Sequence, residues 1–181
     1  MPMRTLLAAA TLAVALLAGS NSALADANTL IMELRTGKVT IEMRPDLAPK
    51  HVARIKELVR KHFYDGLTFH RVLEGFMAQT GDPKGDGTGG SGKNLPAEFT
   101  PTPFVRGTVG MARAQNPNSA DSQFFIMFEA GPSLNGQYTV WGEVTDGMDK
   151  VDRIKKGEPA LNGLVQNPDR IVRMYMEDDA R

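Results

Sequence analysis

Between Thr68 and Met176 the apolar residues come in short runs, each broken by glycine, proline or charged residues: Thr68–Leu73, Met77–Thr80, Thr108–Ala112, Gln123–Phe128, Thr139–Val144 and Arg170–Met176. Runs of that length, bounded by turn residues, suit β-strands and leave little room for packed helices. Two earlier runs, Thr29–Arg35 and Val39–Met43, flank Thr36-Gly37-Lys38, a hairpin signature with glycine at the turn. Pro45-Asp46-Leu47-Ala48-Pro49 then reads as a turn feeding an amphipathic helix, whose stripe is Val52, Ile55, Leu58, Val59 and Phe63. Lys50, Arg54, Lys56, Glu57, Arg60 and Lys61 make its solvated face. Tyr64-Asp65-Gly66 ends it, with Gly66 as the expected left-handed cap. A second helix is expected from about Met148 to Lys155, with Val151 and Ile154 inward. Many short strands and two helices, with no internal repeat and no linker, predict a mainly β fold, a closed barrel capped by helices.

The N-terminus reads differently. Met1-Pro2-Met3-Arg4-Thr5 is a positive start, Leu6 to Ala18 is apolar apart from one threonine, and Ala23-Leu24-Ala25 is a small-residue cleavage site. That order is a secretory signal peptide, cut after Ala25 to leave a mature domain of residues 26–181. The apolar stretch, at about 1.5 Å per residue, falls short of the roughly 30 Å hydrocarbon core, so no membrane anchor is expected after cleavage. Ser20 stands where a lipoprotein signal would carry its lipid-bearing cysteine, and the chain has no cysteine at all. An exported domain of about 155 residues must then be held by packing alone, which that length permits.

Composition and motifs exclude several activities. Cleavage removes one base, Arg4, and no acid from 21 of each, leaving a net charge of −1, which argues against nucleic acid as the ligand. Gly85-Asp86-Gly87-Thr88-Gly89-Gly90 satisfies a dinucleotide fingerprint, and Gly87 to Asn94 comes close to a phosphate-binding loop. Both need a helix immediately afterwards, whereas Asn94-Leu95-Pro96 is a poor helix start, so the segment is expected to be a flexible glycine-rich turn beside a groove. His51, His62 and His70 have no partner at ligand spacing, and Asp82 and Asp86 make no EF-hand, so no metal or other cofactor is expected. Ser122 lacks a hydrolase motif and reads as a hydrogen-bonding residue at a strand start.

One charge remains to be explained. In Phe69-His70-Arg71 the arginine sits within an apolar strand run, where strand alternation would put it on one face with Phe69 and Leu73. It is followed by Gly75-Phe76-Met77-Ala78-Gln79 and Gly81-Asp82, and preceded by Tyr64-Asp65-Gly66-Leu67-Thr68. Downstream come Gly110-Met111-Ala112-Arg113-Ala114, Ser122-Gln123-Phe124-Phe125-Ile126 and Leu134-Asn135-Gly136 with Val140-Trp141-Gly142. These blocks, in this order over about residues 28 to 177, resemble the cyclophilin-type peptidyl-prolyl isomerases.

The resemblance implies an eight-stranded antiparallel barrel with a helix at each end and a shallow outer groove for an X-Pro segment. Carried over by position, Arg71 would be the catalytic residue, with Phe76, Met77, Phe125 and Leu134 holding the proline ring. Gln79, Ala112, Arg113 and Gln123 would line the peptide path, with Tyr138 at the groove where many eukaryotic members have histidine. Tyr138 and Arg113 together look like the bacterial branch, and with the leader they point to the periplasm. Ser133 replaces the tryptophan of cyclosporin-sensitive members, so weak cyclosporin binding is expected, while Trp141 falls at an aromatic core position. The implied activity is rotation about X-Pro bonds of folding proteins by a monomer. A module that binds proline segments without turning them over, and less readily a barrel carrier of small lipids, are the alternatives.

Overall fold

The computed structural model describes residues 28–180, so the expected leader, residues 1–25, lies outside the described residues. Short strands account for most of the regular structure: β1 (Thr29–Leu34), β2 (Gly37–Met43), β3 (Arg71–Leu73), β4 (Met77–Thr80), β5 (Thr108–Met111), β6 (Phe124–Met127), β7 (Val140–Asp146) and β8 (Ile171–Met176). They form one antiparallel sheet in the order β3-β4-β6-β5-β7-β2-β1-β8. The first hairpin turns on Arg35-Thr36, with Leu34 opposite Gly37, whose φ of 135° favours glycine.

The eight antiparallel strands are as expected, but the closed barrel is not. β3 and β8 stand at opposite ends of the sheet order and share no ladder, so the sheet is a curled half-barrel. Gly66–Phe69, non-strand except at Thr68, spans the gap through a Thr68–Arg170 bridge and bonds from Phe69 N to Asp169 O (2.9 Å), Ile171 N to Leu67 O (2.9 Å) and Gly66 N to Ile171 O (2.8 Å). These contacts occupy the start of the β8 edge, and bonds from Val72 N to Gly163 O (2.8 Å) and Gly157 N to Val72 O (2.9 Å) occupy the β3 edge, both of which would otherwise be open to pairing with another chain. The strand run expected from Thr68 therefore begins only at Arg71. Phe69 is drawn into the core with Val72, and Arg71 does not share its face.

The core lies inside the curl. Leu30, Met32, Ile41, Phe124, Ile126 and Trp141 from the strands meet Val52, Ile55, Leu58 and Val59 from α1 (Pro49–Arg60). Phe124 packs edge-on against Tyr64 (5.5 Å) and Trp141 (5.4 Å), so Trp141 takes the core place expected of it. Each such side chain contributes about 1.5–3 kcal/mol by leaving water.

The helix ends are built from distant and local pieces. Pro49 opens α1, whose preceding residue Ala48 makes no side-chain cap, and Glu98 supplies the missing acceptor. Its Oε1 accepts from Lys50 N (3.1 Å) and its Oε2 from His51 N (3.0 Å). At the other end His62, at φ 56°, takes the left-handed position expected of Gly66. Phe63 N donates to Leu58 O and His62 N to Val59 O, each at 3.0 Å, which is a Schellman closure. The second helix, α2, covers only Met148–Val151. Bonds from Arg153 N to Lys150 O and Ile154 N to Val151 O tighten the rest into turns, and Ile154 stays buried as expected.

Candidate active site

Strand alternation sends a second set of apolar side chains to the outer face of the sheet. In β6, Phe124 and Ile126 enter the core while Phe125 and Met127 point outward, and in β4, Ala78 is inward and Met77 outward. Register then aligns one outer row across the sheet: Arg71 opposite Gln79, Gln79 opposite Phe125, Phe125 opposite Gly110, and Gly110 opposite Val140. Gly110 is required in that row. A Cβ there would lie 2.5 Å from Phe104 Cε1 and 2.6 Å from Phe125 Cζ, between two rings stacked at 5.7 Å.

Over this row lies a cavity of about 180 Å³ lined by Arg71, Phe76, Met77, Gln79, Ala112, Arg113, Phe125, Leu134 and Tyr138. Met77 and Phe125 are buried and form its floor. Tyr138 packs edge-on against Phe125 at 5.8 Å, and Leu134 arrives on a short 3-10 turn, Pro132–Leu134. Asn135 Oδ1 accepts from Phe104 N (2.8 Å), which pins that turn beside the stacked rings. Every site residue expected from the sequence thus lines one cavity, except Gln123. Gln123 lies in an adjoining, more polar cavity of about 290 Å³ that shares Gln79, Ala112 and Arg113.

A chain of hydrogen bonds joins the two cavities. Arg71 Nη1 donates to Gln79 Oε1 (3.2 Å), Gln79 Nε2 to Gln123 Oε1 (2.9 Å), and Gln123 Nε2 to the carbonyls of Gly87 (3.0 Å) and Gly89 (2.8 Å). The glycine-rich segment therefore does border the groove, but it is tied down rather than loose. Asp82 accepts from Lys84 N, Asp86 N and Gly87 N, and Asp121 accepts from Ser91 N, Gly92 N, Lys93 N and the Ser91 hydroxyl. No helix follows the segment, consistent with its being a turn. Ser122 donates from Oγ to Gly81 O (2.8 Å), the structural bond expected of it.

Arg113 forms a wall between the cavities. Its Nε and Nη2 donate to Gln137 O, its Nη1 to Ala114 O and Gln115 O, and its plane lies 4.6 Å over the Tyr138 ring. Its engagement is with main-chain carbonyls and aromatic faces, so it shapes the path more than it offers donors to a ligand.

Arg71 is half-buried at the edge of the floor, and burial pushes its pKa below the ordinary arginine value while Tyr138 opposes the shift. It remains charged at physiological pH. Beside it His70 is buried, and burial lowers its pKa against the opposing pull of Asp82, which favours the neutral ring of a scaffold residue. Among the described residues no group of three His, Asp or Glu side chains is arranged to hold a metal ion. One contact escaped the sequence reading: Asn162, on the loop before Gly163, accepts from Arg71 Nε through its carbonyl (3.0 Å) and from Nη2 through Oδ1 (2.9 Å). Its only sequence signal is an Asn-Gly pair, which marks a turn and nothing more.

Comparisons with known proteins agree on one family. Residues 29–176 match the family model described as cyclophilin type peptidyl-prolyl cis-trans isomerase. A probable peptidyl-prolyl cis-trans isomerase of Brucella suis is 58% identical over 189 aligned residues, covering 97% of this chain and 96% of the relative. The peptidyl-prolyl cis-trans isomerase of Synechococcus elongatus is 40% identical over 150 residues, covering 83% and 97%. Among solved structures, a cyclophilin from Hirschia baltica superposes with a TM-score of 0.76 at 28% identity, over 85% of this chain and 75% of that one. A Cryptosporidium parvum cyclophilin crystallised in the presence of the dipeptide Ala-Pro gives 0.75 at 26% identity, over 82% and 98%. With its antiparallel half-barrel, outer apolar groove and match over nearly the whole described length, the chain belongs to the cyclophilin-type peptidyl-prolyl cis-trans isomerases.

Proposed function

We propose that the protein is an exported isomerase that accelerates rotation about X-Pro bonds of folding proteins in the periplasm, with Arg71 as an electrostatic catalyst. The observation that carries the reading is a charged guanidinium, half-buried at the edge of an apolar cavity floored by Met77 and Phe125. X-Pro bonds rotate slowly because resonance stiffens C–N, with a barrier of about 18–20 kcal/mol. In the twisted state the proline nitrogen becomes pyramidal and gains a lone pair. A donor fixed toward that nitrogen stabilises the twisted state more than either planar one. Phe76, Met77, Phe125 and Leu134 would hold the ring and exclude water, while Gln79, Ala112, Gln123, Arg113 and Tyr138 would bound the rest of the segment.

A rate gain of about 10⁴ corresponds to roughly 5–6 kcal/mol, of which one placed donor supplies about 2.7–4 kcal/mol. Desolvation and positioning make up the rest, and no step calls for a nucleophile, metal or cofactor. The periplasmic assignment rests on the leader at residues 1–25. Ser133 is exposed on the 3-10 turn and offers no indole surface, which supports weak cyclosporin binding by a monomeric enzyme.

The test is turnover of a proline peptide. Arg71→Ala should lower kcat/KM about a hundredfold with an unchanged unfolding midpoint. Wild-type turnover in that variant would refute the electrostatic role. Retained peptide affinity with no turnover in the wild type would favour a binding module instead.

A further inference from the structure

We infer that Asn162 is a positioning residue for Arg71, holding the guanidinium in the one orientation from which it can serve the groove. The inference rests on the role proposed for Arg71 above. Arginine offers five N–H donors in a planar fork. Asn162 engages the Nε–Nη2 edge of that fork with two different oxygens, its carbonyl at 3.0 Å and its Oδ1 at 2.9 Å, while Gln79 Oε1 takes one N–H of Nη1. All three nitrogens are thereby anchored, rotation of the plane is blocked, and one N–H on each terminal nitrogen is left uncommitted. Gln79 alone, through a single 3.2 Å bond, would leave the long side chain free to swing about that contact.

The backbone is built to bring Asn162 there. Asn162 sits at φ 53°, ψ 37°, after the 3-10 turn Pro159–Leu161, a left-handed conformation that a polar short side chain tolerates better than most. Gly163 follows at φ 78°, and a Cβ on it would come within 2.7 Å of Leu73 Cγ and 3.1 Å of Val72 O. Gly163 O accepts from Val72 N (2.8 Å), Gly157 N donates to Val72 O (2.9 Å), and Leu164 bridges Arg71. The loop is therefore stitched to β3, so a strained residue on a tethered loop meets the side chain of the strand it is tethered to. Bond pairs of this kind order a functional side chain before the substrate arrives, and a misplacement of about 1 Å at a reacting centre can cost about a hundredfold in rate.

Asn162→Gly separates the two oxygens, because it keeps the left-handed backbone and the carbonyl acceptor but deletes Oδ1. The expected result is a fall of about tenfold in kcat for a proline peptide with KM nearly unchanged and an unfolding midpoint at or above that of the wild type. In an Arg71→Ala background the same substitution should have no further effect, since there is no guanidinium left to orient. A wild-type kcat in Asn162→Gly alongside a slow Arg71→Ala enzyme overturns the positioning role and leaves the Arg71 role standing. A loss in Asn162→Gly that adds fully to that of Arg71→Ala also overturns it, because the effect then runs through the fold at large. Wild-type turnover in Arg71→Ala overturns the Arg71 role itself.

Discussion

β4 and β6 present two apolar faces, both buried, but only the outer one keeps a cavity over it. On the inner face Phe124 and Ile126 meet α1 and the opposite strands, and Phe124 is fully buried between Tyr64 and Trp141. On the outer face Phe125 and Met127 form a second, smaller cluster with Met77, Phe104 and Val140, roofed only by Leu134, Tyr138 and their neighbours, with a cavity left over it. An antiparallel sheet with one solvated face ordinarily alternates apolar and polar residues. Here the outer face is apolar too, and its incomplete roof leaves an apolar-floored cavity of the kind that takes a ligand.

Substituting the adjacent phenylalanines is the strongest way to break that contrast. Phe124→Ala should lower unfolding free energy by about 3–5 kcal/mol, because the closed core cannot collapse onto the space. Phe125→Ala should cost less stability and instead depress kcat/KM for a proline peptide about tenfold or more, through loss of the ring-holding floor. Denaturant titration and turnover on both variants decide it. If Phe125→Ala destabilises as much as Phe124→Ala yet turns over normally, the outer cluster is only a second core.

The faces differ in titration as well. The groove depends on Arg71 and Gln79, neither of which changes charge near neutrality, so turnover should be nearly flat from about pH 6 to 9. The buried interior instead holds His51 and His70, both with pKa values lowered by burial, His51 against the opposing pull of Glu98 at 2.6 Å. A histidine that binds its proton less well folded than unfolded stabilises the fold at pH above the unfolded value of about 6.5. That stabilisation is lost as pH falls from there toward the folded pKa. Unfolding midpoints should therefore hold steady above about pH 7 and decline from about pH 6.5 to 5, while turnover measured below the unfolding transition does not follow them. A turnover profile that tracks the midpoint would tie His70 to catalysis, and a midpoint that rises on acidification would contradict the burial argument.

The same contrast explains what could be read from the sequence. Phe124-Phe125-Ile126-Met127 is apolar throughout, so the strand was legible, but nothing local says which pair faces the groove; the resemblance supplied that. β3 starts later than alternation predicts because Phe69 and Thr68 answer to Asp169 and Arg170, about a hundred residues away, and alternation carries no information on such partners. The barrel stays open for the same reason, since the gap is spanned by irregular chain rather than by an eighth ladder. Glu98 capping α1 and Asn162 holding Arg71 are side chains on loops, whose placement follows from tertiary path alone. The shortened α2 fits its surroundings too, as Lys155 N is taken by Asp169 Oδ2 (2.9 Å) just where another helical turn would form.

The smallest expected effect tests how separate the two faces are. His62 ends α1 at φ 56°, a conformation that costs an L-residue about 1–2 kcal/mol and glycine nothing. His62→Gly removes that strain but gives back about 0.5–1 kcal/mol through the greater freedom of the unfolded glycine. It also deletes an exposed contact from Nδ1 to Asp65 Oδ2 at 3.0 Å, of the kind that contributes little. Asp65 keeps its other task, accepting from Met174 N through Oδ1 at 2.9 Å on the edge of β8. The net expectation is a gain of about 0.5 kcal/mol in denaturant titration, with turnover unchanged because α1 packs on the inner face alone. A loss of stability would show that the His62–Asp65 contact outweighs the backbone strain. A change in turnover would show that the helix and the groove are coupled through the sheet.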